Sequence, residues 1–166
     1  MKLARLLAVG IILSALPIAA LGQEHYSNLQ RNWILHVGTF VPQNSGARRA
    51  VGDFWFDVGA EHPFMQTGRI LGTVSIEYYG DSGVYNIPMM LNAITQTKRF
   101  RFGVGMGIGL GRQVDGASTS GVAYNVLAGV VLKEAPNPIT FDLRYIGMTT
   151  ANNDLNGLSM TFGFQF

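Results

Sequence analysis

The chain has 166 residues, 48% hydrophobic and 13% charged, with 12 Lys+Arg against 10 Asp+Glu and no cysteine. A disulfide framework and thiolate metal sites are excluded, and a charge excess this small, without runs of like charge, gives no electrostatic basis for binding nucleic acid or an anionic membrane surface.

In chain order, Lys2 and Arg5 precede an apolar stretch over 6–16, and Pro17 leads to a small-residue end, Ala20-Leu21-Gly22. This pattern predicts a cleaved secretory signal peptide over 1–22, with processing before Gln23. Its apolar core is shorter than the about 20 residues of a membrane-spanning helix, and no later run is continuously apolar for that length. Lys2 and Arg5 belong to the leader, so the remaining basic residues equal the 10 Asp+Glu in number.

Residues 23–166 read as a single domain of alternating segments punctuated by Gly, Pro, Asn, Asp and Ser. Strands are predicted at 32–41, 54–62, 68–79, 84–95, 98–111, 121–133, 138–148 and 157–166. A membrane-spanning strand takes about 10 residues, so eight use roughly 80 and fit, whereas sixteen would need roughly 160. The third strand sets Ile70, Val74, Ile76 and Tyr78 against Arg69, Thr73, Ser75 and Glu77. The fifth sets Phe100, Phe102, Val104, Met106, Ile108 and Leu110 against Arg101 and a glycine series, and the seventh sets Ile139, Phe141, Leu143 and Tyr145 against Thr140, Asp142 and Arg144. The eighth places Leu158, Met160, Phe162, Phe164 and Phe166 on one face. Period-2 alternation with one greasy and one charged face predicts an all-β, eight-stranded antiparallel up-and-down transmembrane β-barrel. An Arg or Lys facing lipid at the midplane costs about 2–4 kcal/mol, which assigns the charged face to the lumen. Leu127 and Val131 in the sixth strand and Ile34 in the first have lumenal parity although apolar.

Connections alternate in length. Those over 42–53, 112–120 and 149–156 are long and polar, as expected of outer loops, while 63–67, 96–97 and 134–137 are short, as expected of inner turns. The third outer connection, 80–83, is short and departs from the pattern. With both termini periplasmic, lipid-facing Phe54, Tyr78, Tyr85, Tyr124 and Tyr145 fall near outer strand ends, and Trp33, Phe100 and Phe166 near inner ends. Two aromatic girdles at headgroup level are expected.

From about Asn32 to Phe166 the chain resembles the OmpA/OmpX-like superfamily of small eight-stranded outer-membrane β-barrels. The residues that carry the resemblance are Phe162, Phe164 and the final Phe166, which match the assembly signal of that superfamily. Ser75-Ile76-Glu77-Tyr78-Tyr79-Gly80 and Asn86-Ile87-Pro88 also look like segments of uncharacterised outer-membrane β-barrel domain proteins. The resemblance implies the outer membrane of a Gram-negative bacterium. It also implies contact with outer-membrane lipids and lipopolysaccharide, and handling by periplasmic chaperones and the outer-membrane assembly machinery.

Seven ionisable residues have lumenal parity: Asp57, Glu61, Arg69, Glu77, Arg101, Asp142 and Arg144. They predict either a salt-bridged plug or an ion path, and an eight-stranded barrel is just wide enough for its own side chains to fill. The glycines from 103 to 111 alternate strictly and lack phosphate-loop spacing, so they are expected to leave room for bulky partners such as Arg101 and Arg144, or to mark strand bends. His25, His36 and His62 show no metal-ligand spacing, and the F-x-H-x-S pattern of the lipid A deacylases is missing. No catalytic, cofactor or metal residue is assigned. In the outer loops, Gln43-Asn44-Ser45-Gly46-Ala47-Arg48-Arg49 and Gly116-Ala117-Ser118-Thr119-Ser120 are candidate contact segments, with Arg48-Arg49 as an anion contact. Three functional classes follow: a non-enzymatic structural barrel or interaction platform, a lipid-modifying barrel enzyme, and a soluble lipocalin-like barrel with its greasy faces inward.

Overall fold

A computed structural model describes residues 33–134, 137–150 and 152–166; the predicted leader over 1–22 and His25 lie outside the described residues. Eight strands form a closed antiparallel barrel in sequence order: β1 (Ile34–Pro42), β2 (Trp55–Thr67), β3 (Ile70–Asp81), β4 (Val84–Gln96), β5 (Phe100–Arg112), β6 (Ser118–Lys133), β7 (Ile139–Met148) and β8 (Gly157–Gln165). The barrel closes where β1 pairs with β8, from Ile34 opposite Gln165 to Pro42 opposite Gly157. One short helix, α1 (Ser45–Val51), interrupts the connection between β1 and β2.

Alternation sorts the side chains as a closed sheet must. Leu91, Met106, Ile108, Val126, Phe162 and Phe164 are exposed on the outer surface, while Asp57, Glu77, Asn92, Arg101, Asp142, Arg144 and Thr161 are buried inside. A soluble calyx needs the reverse, so the lipocalin-like arrangement is overturned.

Hairpin chemistry sets the strand ends. Ser82 and Gly83 both have positive φ, 49° and 86°, as a two-residue hairpin turn requires, which is why the third long-side connection is short. At the other end, β2 runs five residues past its predicted limit, across a register shift between Pro63 and Met65, to a turn at Gly68 (φ 59°) and Arg69. Pro63 lies inside β2 instead of ending it, because a proline is tolerated beside a bulge where no ladder hydrogen bond is demanded of it. Similarly, the β3–β4 ladder is interrupted between Ile76–Met89 and Tyr79–Asn86, around Pro88, which has no N–H to donate.

The helix α1 was not expected within 42–53. Its Asn44 side chain accepts from the Gly46 N–H (2.7 Å), and Gly52, at φ 135°, ends it by donating to the Arg48 carbonyl (2.9 Å). Seven residues are too few to be stable alone, so tertiary contacts must hold it. Ala47 and Val51, four apart and hence on one helical face, pack into an apolar cluster at the loop end of the lumen.

Candidate functional site: the filled lumen and its cap

The centre of the lumen is a charged cluster built from five strands. Arg101 on β5 donates to Asp142 Oδ2 (2.9 Å), Glu61 Oε1 (2.9 Å) and Thr140 Oγ1 (3.3 Å). Arg144 on β7 pairs with Glu77 through Nη1 and, through Nη2, donates to Glu61 Oε2 and Asp142 Oδ2, each at 3.3 Å. The two guanidinium planes share Glu61 and Asp142, an arrangement that suits the fixed fork of arginine and would not suit lysine. His36 completes the group, 3.1 Å from Arg144 Nη2 through Nε2 and 3.6 Å from Glu61 Oε2. Asp57 stands apart, accepting a hydrogen bond from the Ser159 hydroxyl.

Of the seven residues predicted to line the lumen, six are buried there: Asp57, Glu61, Glu77, Arg101, Asp142 and Arg144. Arg69 is corrected. It sits in the β2–β3 turn, half-buried and outside every ion pair of the cluster, because β2 continues through Thr67 and moves the turn onto it. His36 was not assigned to the network, although it shares parity with Ile34 and its ring is buried.

Below and beside the charges lies a neutral layer. Asn92 donates to Ser75 Oγ (3.0 Å) and Thr73 Oγ1 (3.2 Å), and Asn125 donates to Asn92 Oδ1 (2.9 Å). The glycine series makes room for neutral side chains and neighbouring backbone, not for the arginines. A Cβ on Gly105 would strike Asn92 and Asn125, one on Gly109 would meet Met148 and Asn86, and one on Gly111 would meet Leu155 and the backbone beside it. A void bordered by Glu61, Asn92, Ile94, Gly103, Leu127 and Arg144 has no room for a water molecule.

The loop end is closed by an apolar cap that the sequence reading did not identify. Phe40 stacks on Tyr79 with ring centroids 4.1 Å apart and lies 5.5 Å from Trp55, and Ile146, Met148, Leu155, Val84 and Ala47 complete the cluster. Its polar atoms are satisfied locally: Tyr79 donates to the Leu155 carbonyl (2.7 Å) and Trp55 Nε1 to the Gly52 carbonyl (3.0 Å). Asn44 Nδ2 donates to Asp154 Oδ1 (2.6 Å) and the Asn152 carbonyl (3.1 Å), so the first and last long connections are tied together. Parity was the available signal, since Phe40, Trp55, Tyr79 and Ile146 share the faces of His36, Asp57, Glu77 and Arg144.

On the outside, Tyr78 and Tyr85 stack at 6.0 Å and Tyr124 lies 6.4 Å from Tyr145 toward the loop end, where Phe54 is also exposed. Trp33, Phe100 and Phe166 are exposed at the turn end, and the Phe166 N–H donates to the Trp33 carbonyl (3.2 Å). Trp33 packs on His62 with centroids 4.7 Å apart. Of the paired arginines, Arg48 is engaged with the Pro42 carbonyl (2.8 Å) and Asp53 (3.7 Å), whereas Arg49 is exposed.

A closed barrel of eight antiparallel strands, apolar outside and charged within, defines the fold of the small outer-membrane β-barrels. Among solved structures the chain is similar to the Yersinia pestis outer membrane protein Ail, whose backbone structure was obtained in a phospholipid bilayer nanodisc. The TM-score is 0.54 and the identity 12%, over 82% of this chain and 100% of that one. No family profile and no curated protein matches the chain.

Proposed function

We propose that this protein is an integral, non-enzymatic component of a Gram-negative outer membrane, with both termini periplasmic and a plugged barrel that presents its capped loop end as an interaction platform. The observation that carries the reading is the inversion of the usual surface: an apolar exterior encloses a buried set of arginines and carboxylates. In water such an exterior would drive aggregation, and in a bilayer it is the solvated face. Membrane fractionation tests it: the protein should co-sediment with outer membranes and require detergent for release, and recovery in the aqueous phase would overturn the reading.

The filled lumen supports a barrel without an ion path. Purified protein in a planar bilayer should give no steady current, and persistent open-channel steps would refute the plug. The placement of the two described histidines supports a non-enzymatic role, since His36 is committed to Arg144 and His62 to a turn-end contact with Trp33. Mass spectra of lipid A and phospholipids from expressing cells should show unchanged acyl patterns; a lost or transferred chain would favour the enzyme. Phe162, Phe164 and Phe166 are proposed as the assembly address. Deleting Phe166 should lower insertion in cells more than it lowers the stability of barrels already folded.

A further inference from the structure

We propose that the turn end of the β5–β6 sector is a binding site for anionic phospholipid headgroups, selective for a net negative phosphodiester over a zwitterionic one. The proposal rests on the membrane reading above. Lys98 and Arg99 occupy the β4–β5 turn, and Lys133 ends β6. The turn is tightly bonded: the Thr97 N–H donates to the Phe100 carbonyl (2.8 Å) and the Phe100 N–H to Thr97 Oγ1 (3.0 Å), so it presents its two cations from a rigid base. The Val131 N–H donates to the Arg99 carbonyl (2.8 Å), which places the end of β6 one strand spacing away.

All three cations are exposed, and among the described residues none forms an ion pair. The neighbouring acid is Glu134, which leaves the group net positive, a local surplus that the balanced charge of the chain as a whole did not lead one to expect. At the loop end the contrast is plain. Arg48 pairs with Asp53 and Arg112 donates to the Gly116 carbonyl, and although Arg49 is exposed, Asp53, Asp81, Asp115 and Asp154 at that end leave it without a net positive charge. Immediately toward the barrel belt from the three cations lie Phe100, Phe102 and Leu132, all exposed, with the two phenylalanine rings stacked at 6.2 Å. Cations directly beyond a lipid-facing apolar patch match the two parts of an anionic lipid: the acyl chains lie on Phe100, Phe102 and Leu132, and the phosphate meets Lys98, Arg99 and Lys133. A phosphatidylcholine headgroup carries its own cation and gains no net attraction there.

Tryptophan quenching by brominated lipids in vesicles tests the site, because Trp55 is sealed in the lumen and Trp33 lies just before β1, across the barrel from β5. In a Trp33→Phe background, Phe100→Trp reports on the site, and the parent chain with Trp33 reports on the opposite side. In phosphatidylcholine vesicles containing a minor share of phosphatidylglycerol, brominated phosphatidylglycerol should quench at position 100 as though enriched roughly fivefold over its bulk share, the factor that about one basic side chain supplies near an anionic surface. At Trp33 the enrichment should be near unity. Replacing Lys98, Arg99 and Lys133 with Ser should abolish the excess at position 100 while leaving quenching by brominated phosphatidylcholine intact. Quenching at position 100 by each lipid in proportion to its bulk share, with no excess for phosphatidylglycerol in the unmodified site, would overturn the proposal alone. No quenching by either lipid at either position would overturn the membrane reading beneath it.

Discussion

Arg144 touches Glu77, Glu61, Asp142 and His36, so it neutralises more buried carboxylate than any other side chain in the barrel. Arg144→Met should cost about 3–5 kcal/mol, because Glu77 is left buried without a cationic partner and Glu61 and Asp142 keep only Arg101. Urea unfolding of detergent-refolded protein, followed by tryptophan fluorescence, measures the loss. Arg144→Lys should recover little of it, since one ammonium cannot serve carboxylates on both sides of a planar fork. Gly107→Ala should also destabilise, by about 1–3 kcal/mol, because the new Cβ would press on the Met89 carbonyl and lie 2.8 Å from Met90 Cα, both backbone of β4. The same unfolding experiment would show a cost near zero if β4 can yield. Parity made the six lumenal charges legible in the sequence, since a period of 2 assigns every second residue once one charge fixes the face. It did not say which partner each glycine faces, because that depends on cross-strand register, and there Asn92, Asn125 and Met148 fill the space expected for the arginines.

At the scale of elements, all eight strands were legible in the sequence, whereas their ends were not where turn chemistry competes with proline. Pro63 looked like the end of a strand and is a residue within β2, and that displacement put Arg69 in a turn, away from the ion-paired cluster. The helix α1 was illegible because seven residues carry too little periodicity, and its stability comes from Ala47 and Val51 meeting a cluster assembled from distant strands. The cap should therefore loosen as a unit. Leu155→Ala removes a fully buried side chain and should cost about 2–5 kcal/mol, and loss of the Asn44 cap by Asn44→Ala about 1 kcal/mol. Hydrogen exchange should rise in both variants over 43–53 and 149–156 while the mid-barrel strands keep their protection. Uniform acceleration through β3 to β6 would show instead that cap and barrel open together.

For the whole molecule, seven of the eight strand pairings join neighbours in sequence and can form as hairpins, while the eighth brings β1 to β8. That seam links Ile34 to Gln165, nearly the full described length of the chain. Its consequence is kinetic. Loop-closure entropy rises only with the logarithm of length, so the delay lies less in finding the partner than in the state before closure, which carries two open edges. In hydrocarbon each unpaired N–H or C=O on those edges costs several kcal/mol, so a half-zipped seam is disfavoured and closure should be all-or-none. Substitutions that weaken β1–β8 pairing should slow the final folding phase and leave the early hairpin signals unchanged, with time-resolved tryptophan fluorescence on insertion into vesicles as the readout. The rate of sealing the sheet thus becomes a property of its first and last strands, whose closing pairs include Phe40 of the cap against Ser159 and His36 of the lumen against Gly163.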